Sequence, residues 1–76
     1  MVLFYDVQLG TYSLRNDEQE VEFLGSMKHT MLKLQEYGMT ETQSRAAAIQ
    51  AQMNRGDGVD CSLVRRMTAG FERLPA

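Results

Sequence analysis

Apolar and polar positions alternate at the start of the chain. Across residues 2–9, VLFYDVQL, the positions Leu3, Tyr5, Val7 and Leu9 interleave with Val2, Phe4, Asp6 and Gln8. A period of two is that of a strand with one face covered. Gly10 ends the run, and residues 11–14 return it as a second short strand or continue it as an extended arm. A two-stranded ribbon is barely stable alone, so it must rest on a helix or on another chain. Further along, the period changes. Val21, Leu24, Met27, Met31 and Leu34 recur at spacings of three, three, four and three, a continuous helical stripe. Asn16 as cap, Gln19 three residues on, and Asp17, Glu18 and Glu20 in the first turn complete a helix-start signature. Gly38 is a natural stop after Tyr37. The pattern predicts a helix over residues 17–37.

Thr40 and Gln43 form a second capping pair, followed by the helix-favouring SRAAAIQAQMN, which predicts a helix over 41–54. Its apolar face is slim: Ala46, Ile49 and Met53. Met39 fills the elbow, and so short a joint makes the first two helices an antiparallel hairpin. Leu63, Val64, Met67, Phe71 and Leu74 predict a third helix over 61–74, capped by Asp60 and closed by Pro75. The expected fold is mainly α, with α+β as the alternative. It is a single small domain, residues 1–76, with a β-ribbon or arm over 1–14 ahead of the helices.

Composition narrows the class. The chain is 43% hydrophobic and 24% charged, which suits a globular domain rather than a disordered one. Cys61 is the single cysteine, so no disulfide forms within the chain, and one Cys with one His falls short of a structural zinc site. A lone thiol fits a reducing compartment, and no signal-like or membrane-spanning run is present, so the expected location is the cytoplasm. The net charge of −2 gives no general attraction to phosphate backbones or anionic membranes. It is unevenly spread: residues 1–40 carry six acids and three bases, residues 41–76 five bases and four acids.

The most motif-like stretch is NRGDGVD, residues 54–60. Arg55-Gly56-Asp57 matches an adhesion tripeptide, a frequent coincidence. Asp57 and Asp60 lack the ligand register of a calcium loop, and Arg55, Arg65 and Arg66 would repel a cation. Helix capping explains the stretch more simply, with Gly56 ending one helix and Asp60 starting the next. Two helices about this loop also suggest a helix-turn-helix, with Arg65, Arg66 and Arg73 placed for phosphates. The linker is longer than the usual turn, and Asp60 and Glu72 offset the arginines. Cys61 in a first helical turn, with His29 as the only imidazole, is a thin basis for a nucleophile–base pair. Ser62 in GVDCSL superficially resembles the attachment serine of acyl carrier proteins, but Cys61 separates it from Asp60 and 14 residues follow it.

These readings point to no catalytic residue, metal ligand or cofactor site, and so to no enzyme. The expected function is protein binding by a small adaptor, inhibitor, chaperone-like partner or regulator. It would act through an apolar helix face or by adding its N-terminal strand to a partner's sheet. The expected contacts are Phe4, Tyr5, Phe23, Met27, Met31 and Leu32, and the partner is another protein or a second copy of the chain. The alternative is a dimeric DNA-binding regulator using Arg65, Arg66 and Arg73.

Overall fold

A computed structural model describes residues 1–72, with side chains through Thr68. The described elements are β1 (Val2–Asp6), β2 (Thr11–Arg15), β3 (Val21–Gly25), α1 (Met27–Glu36), α2 (Glu41–Asn54), β4 (Val59–Asp60) and α3 (Cys61–Glu72). The strands form one antiparallel sheet in the order β3-β2-β1-β4. The fold is therefore α+β, and the mainly α expectation is overturned. Of the third helix expected over 61–74, Arg73 and Leu74 lie outside the described residues, as does Pro75. No helix among the described residues is long and apolar enough to cross a membrane.

The expected helix over 17–37 is the main correction. Asn16 caps a turn, not a helix: its side-chain Oδ1 accepts from the backbone N–H of Glu18 and of Glu20, each at 2.9 Å. Gln19, expected to reach back as a capping partner, sits at φ +67°, a left-handed turn position. The chain then returns beside β2, with Ser13 opposite Phe23 and Arg15 opposite Val21. Gly25 at φ +79° ends the strand. Ser26 is the true helix cap, accepting from the His29 N–H at 3.3 Å. Only the second half of the apolar stripe, from Met27 onward, is helical.

The end of α1 follows from its sequence. Gly38 takes φ +98°. Its N–H donates to the Gln35 carbonyl at 3.0 Å, and the Met39 N–H donates to the Leu34 carbonyl at 3.1 Å. This is the double closure of a Schellman turn, and the apolar residues on either side of it, Leu34 and Met39, are both buried. Thr40 and Gln43 then form a reciprocal capping box at the start of α2. The buried face of α2 is Ser44, Ala47, Ala48 and Ala51, each fully covered, while Ile49 and Met53 are exposed. The slim face is thus turned away from the expected Ala46-Ile49-Met53 line. Small residues let the helix axis lie close to the sheet.

The core lies between the sheet and the helices. Leu3 pairs with Leu14, and Tyr5 with Tyr12, on the face turned toward the helices. Tyr12 is the largest fully buried side chain, and its hydroxyl donates to the Ala48 carbonyl at 3.0 Å. Between α2 and α3, Arg55 takes a left-handed cap at φ +47°, followed by Gly56 and Gly58 at φ +96° and +86°. Val59 and Asp60 then pair with Leu3 and Val2. Asp60 accepts from the Ser62 N–H at 2.9 Å and so starts α3.

Candidate docking surface

The opposite face of the sheet carries no helix among the described residues. Its residues are Val2 and Phe4 of β1, Ser13 and Arg15 of β2, and Val21 and Phe23 of β3, as the pairing registers require. At the β1 end it is partly covered. The Arg15 guanidinium lies 5.1 Å from the Phe4 ring centroid, and the loop at Gly58 presses on Phe4 and Val2. At the β3 end it is open: Val21 is 56% exposed and Phe23 85%.

The β3 strand is also an edge of the sheet, and its backbone has a direction. The Asn16 N–H donates to the Glu20 carbonyl at 3.0 Å, a bonded pair at the hairpin end. Bonded and non-bonded pairs alternate along an antiparallel ladder. Leu14–Glu22 is then the next bonded pair, and Val21 and Phe23 turn their N–H and C=O groups to the free edge. An exposed edge with an aromatic residue at its centre is a template for another strand.

Behind this edge lies α1. Phe23, Leu24 and Glu22 line one side of a shallow groove of about 330 Å³, and His29, Leu32, Lys33 and Glu36 line the other. Leu32 is 54% exposed and joins this groove to a neighbouring one of about 550 Å³ that also takes in Met27 and Met31. The strand and helix are tied by a polar clamp. The Tyr37 hydroxyl donates to Glu22 at 2.8 Å, and the Lys33 Nζ lies 3.2 Å from Glu22 and 3.3 Å from Glu36. The Tyr37 hydroxyl, and after it the Lys33 ammonium, hold the Glu22 carboxyl below its ordinary value.

A depressed carboxylate contributes stability above its unfolded value and loses it as pH falls through its folded one. Melting temperature should therefore favour the wild type over Glu22→Gln at neutral pH. The two curves should converge as pH drops below the ordinary carboxylate value. A gap that stays constant down to strongly acid pH would show that the clamp does not depend on the charge.

The structure divides the expected contact residues. Phe23, Leu32, Met27 and Met31 form one continuous strip over β3 and α1. Phe4 and Tyr5 do not belong to it: both are half-buried, Phe4 under Arg15 and Tyr5 against Tyr12 with ring centroids 4.9 Å apart. The N-terminal strand, expected to add to a partner's sheet, lies between β2 and β4, with β4 pairing its Val2 and Leu3. The sequence reading missed Val21 and the backbone of β3 as parts of the surface. The alternating Val21-Glu22-Phe23-Leu24 ahead of Gly25 is the signal that could have found them.

The remaining candidates are dispersed. Cys61 is fully buried at the start of α3, beside β4, and burial pushes its thiol up rather than down. His29 is exposed beside β3, at the other edge of the sheet, a separation of three strands or about 14 Å. Asp60 is occupied as a cap, and no three His, Cys, Asp or Glu side chains among the described residues group as metal ligands do. Arg65 and Arg66 are exposed on α3. The joint before them carries a sheet strand, unlike the short turn of a helix-turn-helix. Arg73 lies outside the described residues. A further apolar groove of about 400 Å³, lined in part by Ala46, Val59, Leu63, Val64 and Met67, runs between α2 and α3. The chain matches no family model, no curated protein and no solved structure.

Proposed function

We propose that this chain is a small cytoplasmic, non-catalytic protein-binding module. It takes an extended segment of its partner along the β3 edge, with the partner's apolar side chains in the groove between β3 and α1. The observation that carries the reading is Phe23: it is 85% exposed at the centre of an edge strand whose outward backbone groups have no strand beside them among the described residues. In strand addition the backbone edge supplies affinity and the adjoining pockets read alternate side chains. The β3 edge and Leu32 provide both elements. The cytoplasmic placement rests on the single free cysteine.

Selection from a displayed library of linear peptides tests the reading. The selected peptides should carry apolar residues at alternate positions. Their binding should fall by about thirtyfold or more with Phe23→Asp, the loss typical of an aromatic hot spot. Leu32→Asp should weaken them too, whereas Arg65→Ala with Arg66→Ala should not. All these sites are exposed, so the melting temperature should hold. A selection without binders, or binders indifferent to Phe23→Asp, would overturn the proposal.

A further inference from the structure

We infer that Asp57-Gly58, in the loop between α2 and β4, is a modification site at which the folded chain converts spontaneously to an isoaspartyl linkage. The inference is independent of the docking edge, which lies at the other side of the sheet.

The reaction is a cyclisation and needs no partner but water. The Gly58 amide nitrogen attacks Cγ of the Asp57 carboxyl in its protonated form. An N–Cγ bond forms, and one carboxyl oxygen leaves as water with its own proton and the proton of the amide. Water then opens the cyclic imide. Breaking the N–Cγ bond restores aspartate. Breaking the bond from the same nitrogen to the main-chain carbonyl carbon leaves the chain running through Cγ, as isoaspartate. One water is lost and one gained, so the product keeps the original mass. The step requires an amide nitrogen that is uncrowded and unheld beside a carboxyl that is unengaged. Glycine after aspartate favours it most, because no Cβ crowds the nitrogen.

The fold meets these conditions at Asp57-Gly58. The Cys61 N–H donates to the Met1 carbonyl at 3.0 Å, which makes Met1 and Cys61 a bonded pair. Bonded and non-bonded pairs alternate back through Val2–Asp60 and Leu3–Val59, so Gly58, opposite Phe4, turns its backbone away from β1. Its carbonyl accepts instead from the Asn54 side chain at 3.0 Å, and its N–H donates to no described residue. Asp57 is exposed, and its carboxylate enters no hydrogen bond or ion pair among the described residues. The other aspartates differ. Asp6 and Asp60 accept backbone N–H groups, and Asp6, Asp17 and Asp60 precede Val7, Glu18 and Cys61, whose side chains crowd the nitrogen.

Packing keeps the reactive pair in place. A Cβ at residue 58 would lie 2.7 Å from the Phe4 ring, so the contact that requires glycine also retains the most reactive neighbour for Asp57. The product lengthens the main chain by one atom just before β4. Arg55, Gly56 and Gly58 already hold left-handed conformations, and Val59 beyond them is buried and paired with Leu3. The isoaspartyl form therefore loosens β4 from β1.

Peptide mapping of the full chain, with electron-transfer fragmentation to tell isoaspartate from aspartate, tests the inference. One sample is aged folded at neutral pH and a second is aged unfolded in guanidinium chloride. Isoaspartate at residue 57 should form in the folded chain within about tenfold of its rate in the unfolded one, whereas a reaction that waits for global unfolding would be slower by about 10³ or more. Asp6, Asp17 and Asp60 should stay unchanged in the folded sample, and Asp57→Glu should give no isomer at that position. The separated isoaspartyl form should unfold at a lower denaturant concentration than its parent. A folded rate at residue 57 more than about tenfold below the unfolded one overturns the inference. Isomerisation of Asp6, Asp17 or Asp60 as fast as that of Asp57 in the folded chain does so too. Equal denaturation midpoints for the two forms overturn the loosening of β4.

Discussion

Replacing Gly58 by alanine is expected to destabilise the protein by about 2–5 kcal/mol, the sum of backbone strain and overpacking. Gly58 takes φ +86°, where an L side chain is strained. A Cβ there would lie 2.7 Å from Cε1 of Phe4 and 2.8 Å from Cγ1 of Val2. Neither neighbour moves freely. Val2 is paired on both sides, to Arg15 and to Asp60, and Phe4 is held under the Arg15 guanidinium. A chain of this length has a total stability of about 4–11 kcal/mol, so the loss would be a large part of it. Chemical denaturation measures it directly. Adding Phe4→Ala should recover part of the loss in Gly58→Ala, because it removes the clash with the ring and leaves the strain and the contact with Val2. A change below about 0.5 kcal/mol in the single variant would show that the loop does not press on the sheet.

The second large effect is at Tyr12. Truncation to alanine should cost about 3–5 kcal/mol, enough to leave the fold marginal. The ring is the largest fully buried side chain, and it joins β2 to α2 through the bond to the Ala48 carbonyl. Tyr12→Phe keeps the packing and removes that bond together with the hydroxyl's hydrogen bond to the Gln52 side chain, so it should cost about 1–2 kcal/mol. The pair separates packing from hydrogen bonding. Equal losses in the two variants would mean that the hydroxyl, not the ring, ties the sheet to the helix.

How far these features can be read from sequence depends on how local their causes are. The capping box of Thr40 and Gln43 needs four consecutive residues, and the turn at Gly38 needs about as many. Both are plain in the sequence for that reason. Residues 21–25 are different, because VEFLG satisfies two periods at once. Val21 and Leu24 continue the helical stripe into Met27, while Val21 and Phe23 alternate with Glu22 and Leu24 as a strand. What decides between them is pairing with β2, a contact absent from any local window. Gly25 and Ser26 mark the break, but Ser26 has His29 rather than Glu or Gln three residues on, so no box announces the new helix. Strand β4 is two residues long and has no period to detect.

The exposure of the candidate surface was legible in its side chains, and its architecture was not. Phe23 beside the stripe and Leu32 off it are apolar residues that a helical reading leaves uncovered, and both are exposed. That Phe23 lies on an edge, with its backbone turned outward, follows only from the strand order. Tyr5 and Phe4 illustrate the converse. As aromatic residues near the N-terminus they read as contacts, yet the sheet and Arg15 already half-bury them.

The outward edge of β3 is the centre of this account, and residue-resolved amide hydrogen exchange tests it most directly. In dilute protein the Val21 and Phe23 amides should exchange at nearly unprotected rates, while the Glu22 amide between them, turned toward β2, stays protected. Adding a peptide selected on the protein should protect Val21 and Phe23 and leave Glu22 unchanged. Val21 and Phe23 as protected as Glu22 at every dilution would contradict the account, because the edge would then be closed within the chain itself.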